Sequence, residues 1–427
     1  MRQNNGTSDD IQFATRAVHA GRGDFIELGV HAPPLDLSST YPTPDLDAAA
    51  QSFDSLVAGD APQHGSFVYQ RLFNPTTDRF ERALAELEGA EDAAAFSSGM
   101  AAFTAVLLAA KSRGSHVVAV RPLYGTADHL LCSGLLGHEV TWAAADEIAG
   151  AMRPDTCLVI AETPANPTLD LVDIAAVVRQ AGEVPVLIDS TFATPVLQRP
   201  LAHGAALVLH SATKFLGGHG DVLAGVVAGA HALVRDIKHV RAATGGLLHP
   251  LSSYLLHRGL PTLPLRVERA QATAALLADR LANDPRIASV RYPGFAACDP
   301  QSIVGRQMQG PGSILSFELA VRGADALRSF LGALTLITPA VSLGSTDSLI
   351  QPPATLTHRV VCPDAREAAD ITSGLLRLSV GLEDSRDLWR DIDRALDARV
   401  GRRGAETAAR LEAHPAAAAA ASASPWE

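Results

Sequence analysis

From about residue 74 onward, short apolar runs alternate with stretches whose apolar residues recur at helical spacing. Asn74-Pro75-Thr76-Thr77 offers caps for a helix on which Phe80, Ala83, Leu84 and Leu87 share a face, and Gly89 is placed to end it. Ser97-Ser98-Gly99 then precedes a helix predicted over 100–111, rich in strong helix formers and free of proline. The chain goes on in alternation, with strands predicted at 116–120, 139–142, 157–161, 184–189 and 206–210 and helices at 125–136 and 171–180. Strands separated by helices predict an α/β domain with a large, mainly parallel sheet.

Two other textures flank this one. Residues 1–72 carry Pro33-Pro34, Pro42, Pro44 and scattered glycines, which predicts an irregular, extended arm that needs something to lie on, such as a neighbouring subunit. Beyond residue 262 come a long helix at 267–282, strands at 289–292, 314–319 and 376–380, and a helix at 324–334, which together predict a smaller α+β domain. The expected organisation is therefore an arm over 1–72, an α/β domain over 73–262, an α+β domain over 263–400 and a low-complexity tail over 401–427.

Composition narrows the ligand. At 427 residues with a net charge of −11, the chain is large enough for two cores and too acidic to suit a nucleic-acid or membrane-surface partner, so a small molecule fits best. Cys132, Cys157, Cys298 and Cys362 lie far apart with no CxxC pair, which predicts free thiols, no metal site and a reducing, cytoplasmic setting. No apolar run approaches the ~20 residues that a membrane span needs.

The candidate chemistry sits where predicted strands end. Lys214 follows the run Ala206 to His210 within HSATKFLGGHGD, among the hydroxyls of Ser211 and Thr213 and the glycines Gly217, Gly218 and Gly220. Burial there would disfavour its charged form and leave a nucleophilic amine. Asp189 ends the run VPVLID, and Asn166 lies in ETPANP after another strand. Ser98-Gly99-Met100 opens a helix, whose free N–H groups make an anion site, and Tyr124 stands where an aromatic ring could cover a ligand. A lysine, a carboxylate, an anion site and a ring are what pyridoxal phosphate requires, the acid keeping the pyridine nitrogen protonated. A non-catalytic α/β ligand-binding protein is the competing class; neither a GxxxxGK[ST] loop nor a GxGxxG after the first strand points to a nucleotide.

YQRLFNPT (69–76), SSGM (97–100), LYGT (123–126), ETPANP (162–167), DSTFATP (189–195), HSATKFLGGHGD (210–221), VSLG (341–344) and RLSVGLED (377–384) resemble the Cys/Met-metabolism, or trans-sulfuration, family of pyridoxal-phosphate enzymes over roughly residues 12–398. The resemblance implies a fold-type I enzyme and, by motif, a role for each residue. Lys214 would bond the cofactor, Asp189 meet its pyridine nitrogen, Tyr124 stack on the ring and serve as an acid, and Asn166 lie near the phenolic oxygen. Ser98, Gly99, Met100, Ser211 and Thr213 would hold the phosphate, with Tyr69 and Arg71 serving the neighbouring subunit's cofactor in a homotetramer. Arg377 and Ser342 would receive an amino-acid carboxylate. Val341 stands where cystathionine synthases and lyases carry glutamate, which implies an uncharged substrate side chain and γ-elimination on methionine. Thr126 and Arg241-Ala242 depart from the pattern of methionine-cleaving members, so cystathionine synthesis or cleavage and γ-replacement on an O-acylhomoserine stay open.

Overall fold

The computed structural model describes residues 11–398. The expected tail at 401–427 and the first ten residues of the expected arm lie outside them. Seven strands form the larger sheet: β1 (Asp92–Phe96), β2 (His116–Val120), β3 (Glu139–Ala143), β4 (Thr156–Glu162), β5 (Val186–Asp189), β6 (Leu207–His210) and β7 (Gly225–Gly229). Their order is β1-β7-β6-β5-β4-β2-β3, with β3, β2, β4, β5 and β6 parallel and β7 antiparallel between β6 and β1. The inner parallel strands are mostly apolar because helices cover both faces, and β2 and β4 are buried throughout, whereas the edge strand β3 is only partly covered.

Parallel pairing brings the carboxyl ends of β2, β4, β5 and β6 to one edge of the sheet. Glu162 is thereby paired with Asp189 in the ladder, and His210 ends the next strand. The loops that carry Tyr124, Asn166, Thr191 and Lys214 all leave from this edge.

The second sheet has the order β10-β11-β12-β9-β8, formed by β8 (Ile287–Arg291), β9 (Ile314–Leu319), β10 (Thr338–Pro339), β11 (Leu349–Gln351) and β12 (Leu375–Ser379). It encloses a core of its own around Phe317, Phe330, Leu376 and Leu388. The 20-residue helix Leu263–Ala282 joins the two cores, with Val267 packed among residues of the first and Leu277 and Leu281 among those of the second.

The described part of the arm is more ordered than its prolines predict. Leu46–Ala58 is a helix of 13 residues, capped by Asp45, whose carboxylate accepts from the amides of Asp47 and Ala48, and closed by the left-handed Gly59. Its Leu56 packs with Leu72 and Ala242. Tertiary packing also explains β1: Ala93, Ala94 and Ala95 have little strand propensity, but all three are fully buried, where larger side chains would hold the covering helices off.

The sheet meets the Ser98 turn at Gly225. A Cβ built there would stand 2.2 Å from the Ser98 carbonyl oxygen. Gly225→Ala should therefore cost about 1–3 kcal/mol of stability, as overpacked sites do; a urea midpoint equal to that of the wild type would refute the close approach.

Candidate active site

The chain has three lysines. Lys111 donates to the carbonyls of Leu136 and Gly137 at 2.7 and 2.5 Å, and Lys238 to both oxygens of Asp92 at 2.7 and 2.9 Å. Lys214, in the loop after β6, instead points its amine at the Ser342 hydroxyl, 2.7 Å away. Burial, and then the nearby Arg377 charge, bring its pKa down to about 8. The loop is fixed from both sides: the Thr213 amide donates to Ala224 O at 3.1 Å, and the buried guanidinium of Arg266 donates to Phe215 O at 2.6 Å. Gly344 closes the approach from the second sheet, since a Cβ there would stand 2.7 Å from the Phe215 amide nitrogen.

Ser342 links the lysine to an arginine. Its carbonyl accepts from Arg377 Nη2 at 2.6 Å while its hydroxyl faces Lys214, an arrangement achieved with φ of 84°, in the left-handed region. Arg377 lies on β12 and is 2% exposed. Nη1 also donates to Asn166 Oδ1 at 2.9 Å, and the Gln351 amide oxygen, turned towards the guanidinium, accepts from Nη1 and Nη2 at 3.2 and 2.9 Å. Its hydrogen-bond partners are all neutral, the guanidinium sits 5.9 Å from the Phe192 ring, and Nε is buried without a partner. Burial lowers its pKa to about 10, offset in part by Glu162 and Tyr124. A buried cation with neutral partners and one free N–H invites an anion.

Asp189 ends β5. Its Oδ1 accepts from the amide and hydroxyl of Thr191 at 2.9 and 2.6 Å; Oδ2 has no hydrogen bond among the described residues. Burial raises its pKa, against the Thr191 hydrogen bonds and the nearby His210. The Thr191 hydroxyl accepts in turn from the Ser211 amide at 2.9 Å, tying the Asp189 turn to the Lys214 loop. Asn166 is buried, its carbonyl accepting from His358 Nε2 at 3.1 Å. Burial and then Arg377 bring His358 down to about 4, so the ring donates as a neutral imidazole at pH 7. Tyr124 precedes the helix Gly125–Cys132 and is 36% exposed.

The Ser98 turn offers unpaired amides at a helix start. Ser98 caps the helix Gly99–Ala110, its hydroxyl accepting from the Ala101 amide at 3.0 Å, which leaves the amides of Gly99 and Met100 without partners among the described residues. Ser211 faces the same turn: a Cβ at Gly99 would stand 3.1 Å from Ser211 Cβ. The Thr213 hydroxyl is occupied, donating to Ala224 O at 3.1 Å and accepting from Ala224 N at 2.9 Å.

The structure thus brings Lys214, Ser342, Arg377, Asn166, Asp189, Ser98, Gly99 and Ser211 into one linked group, with Tyr124 at its rim. Tyr69 and Arg71 stand outside it. Tyr69 is 45% exposed, and Arg71 lies 5.8 Å from its ring centroid and donates to Ala242 O. Val341 is half exposed, beside Ser342. Sequence reasoning missed Glu162, Thr191, Gln351 and His358. Thr191 lies two residues after Asp189 and Glu162 opens ETPANP, so both had a local signal; Gln351 and His358 had none, because their partners lie far off in the chain.

Pyridoxal phosphate fits what is present: a lysine whose pKa lies below that of a free side chain, a carboxylate with one oxygen free, two unpaired amides at a helix start and the tight cradle of Gly99 against Ser211. No described helix is long and apolar enough to cross a membrane.

Comparison with known proteins agrees. The family model described as "Cys/Met metabolism PLP-dependent enzyme" matches residues 14–397. An L-methionine γ-lyase of Brevibacterium sandarakinum is 55% identical over 90% of this chain and 97% of its own length. One from Streptomyces avermitilis is 54% identical over 93% and 94%, and one from Pseudomonas putida 41% over 90% and 97%. Among solved structures, a cystathionine γ-synthase of Xanthomonas oryzae pv. oryzae is similar at a TM-score of 0.84 with 34% identity, over 91% of this chain and 98% of that one. A match along nearly the whole described chain, on a fold and site of this kind, places the protein in the Cys/Met metabolism family of PLP-dependent enzymes.

Proposed function

We propose that this protein is an L-methionine γ-lyase, converting methionine and water to α-ketobutyrate, ammonia and methanethiol. The observation that carries the reading is Ser342, which holds an amine and a buried guanidinium at a fixed spacing: Lys214 Nζ on its hydroxyl and Arg377 Nη2 on its carbonyl. The amino group and carboxylate of an α-amino acid match that pair. Relatives at 38–55% identity named L-methionine γ-lyase support the choice of reaction.

Pyridoxal phosphate, joined to the protein through Lys214, supplies the electron sink that makes the substrate's α-proton acidic. The other work belongs to the chain. Arg377, oriented by Asn166, Gln351 and Ser342, receives the α-carboxylate. Lys214 Nζ, held at the Ser342 hydroxyl, would take the α-proton and move a proton from the β-carbon. The Tyr124 hydroxyl gives a proton to the departing sulfur. The free oxygen of Asp189 would meet the ring nitrogen, and the amides of Gly99 and Met100 with the hydroxyls of Ser98 and Ser211 would hold the phosphate. Thr213 enters the phosphate set only if its hydroxyl gives up Ala224.

Val341 shapes the far end: an uncharged, half-exposed residue beside Ser342 suits a thioether and offers nothing to the distal ammonium of cystathionine. Tyr69 and Arg71, exposed and apart from the Lys214 group of their own chain, are assigned to the cofactor phosphate of a neighbouring subunit. The exposed Ile26, Leu28 and Leu37 of the arm fit burial against that subunit in a homotetramer. The unit boundaries that go with this reading are 1–72 for the arm, 73–262 for the cofactor domain and 263–400 for the substrate domain. The four free cysteines suit a cytoplasmic setting.

Incubation with L-methionine, L-cystathionine, or O-succinylhomoserine plus cysteine, following keto acid, ammonia and thioether, tests the reaction; cystathionine turnover without α-ketobutyrate from methionine would refute it. Lys214→Ala should lose both the visible absorbance of the bound cofactor and activity. Val341→Glu should raise kcat/KM for cystathionine relative to methionine by about tenfold, a single pocket contact's worth; an unchanged ratio would remove Val341 from specificity. In the cofactor-free protein, only the unprotonated amine reacts, so the rate of reductive methylation at Lys214 should fall about tenfold per pH unit below its pKa and level off above a pH of about 8. A rate still climbing at pH 10 would contradict the lowered pKa.

A further inference from the structure

Glu162 is the last residue of β4, 5% exposed, and no step of the proposed reaction uses it. Its two carboxylate oxygens are both occupied, each by a different loop. Oε2 accepts from the amide of Tyr124 at 2.7 Å, and Oε1 from the amide of Asn166 at 3.0 Å. The first loop leaves β2 and the second leaves β4 itself, so one side chain spans the ends of adjacent strands.

What each loop carries makes the span consequential. Tyr124 is the ring and acid at the rim of the site. Asn166 is held at three points: its amide by Glu162, its carbonyl by His358 and its side-chain oxygen by Arg377. A shift of the Glu162 carboxylate therefore reaches the guanidinium through one intervening residue and the tyrosine through none. The position is costly to maintain. Burial and the neighbouring Asp189 carboxylate both push the Glu162 pKa upward, and Asp189 is its ladder partner on β5. A helix cap or turn needs no such buried acid; two backbone N–H groups separated by a gap do.

We propose that Glu162 is a positioning residue that fixes the Tyr124 loop and the Asn166–Arg377 pair at one separation, so that the ring over the cofactor and the receptor for the substrate carboxylate are set together. The role rests on the methionine γ-lyase reading for what those groups do, and on the two hydrogen bonds for the coupling. Glutamine at 162 keeps one acceptor oxygen and turns an NH2 group towards a backbone N–H, so one loop must let go.

The test compares the wild type with Glu162→Gln and Glu162→Asp. Three quantities are read: the melting temperature of the cofactor-free protein, the visible circular dichroism of the cofactor-loaded protein, and spectral dissociation constants for glycine and methylamine. Glycine carries a carboxylate and no γ-substituent; methylamine lacks the carboxylate. Glu162→Gln should melt within a few degrees of the wild type, lose about half of the visible dichroism, and bind glycine about tenfold more weakly, the scale of one lost hydrogen bond to a charged partner, with methylamine unchanged. Glu162→Asp, with both oxygens but one methylene less reach, should recover part of the dichroism. It replaces the glutamine variant if that does not fold.

Unchanged dichroism and glycine affinity in a folded variant would overturn the proposal, as would equal weakening for glycine and methylamine, or failure of both variants to fold. The wild type separates this from the reaction itself. If it lacks methionine turnover, the proposed function fails, while the glycine and dichroism readings still decide the role of Glu162.

Discussion

A guanidinium buried among neutral partners is the constraint around which the site is built. Moving the Arg377 charge out of water is costly, and the structure offsets the cost with carbonyl and amide oxygens rather than a carboxylate. Pairing with an acid would have cancelled the charge and with it the capacity to receive an anion. Each neutral acceptor is drawn from a different part of the fold: Asn166 from the loop after β4, Ser342 from the loop before β11, and Gln351 from β11 beside Arg377 in the ladder. Placing them at one point requires both sheets to be in register with each other, which is why the second core and the long connecting helix matter to chemistry at the edge of the first.

Ser342 shows how local strain serves this arrangement. A non-glycine residue in the left-handed region gives up about 1 kcal/mol or more, and here the turn aims a hydroxyl and a carbonyl of the same residue at two cations. Both cations are buried, and the lysine is the one that yields: burial and then the Arg377 charge bring its pKa down to about 8, while the arginine, at about 10, stays charged. Burial first, and the Arg377 charge second, thus leave the amine reactive.

Much of the site was legible because its residues lie where strands end. Asp189, Lys214 and Asn166 follow apolar runs, the helix at Ser98 announces itself by its cap, and the α/β alternation ordered the parallel strands. β1 was invisible, since nothing in its central Ala93-Ala94-Ala95 distinguishes a strand from a helix until helices are seen closing on it. The helix Leu46–Ala58 was hidden by nearby prolines, although Asp45 and Gly59 mark both its ends. Gln351 and His358 escaped for a different reason: their partners Arg377 and Asn166 lie far off in the chain, and a single sequence carries no distance information. Glu162 had a local signal in ETPANP, but its second partner, Tyr124, lies 38 residues away. Thr213 is the reverse case, a hydroxyl in the right motif that this structure has turned towards Ala224.

The helix Leu263–Ala282 is seated in the first core through Val267 and in the second through Leu281. A rod with both ends embedded behaves as a strut: turning one sheet against the other must bend twenty residues of helix or pull an end out of its core. Any movement around Lys214 is left to shorter segments, among them the turn between β10 and β11 that bears Val341 and Ser342. Against such a strut the two halves of the molecule act as fixed walls, and the loops between their strands are the parts left free to shift.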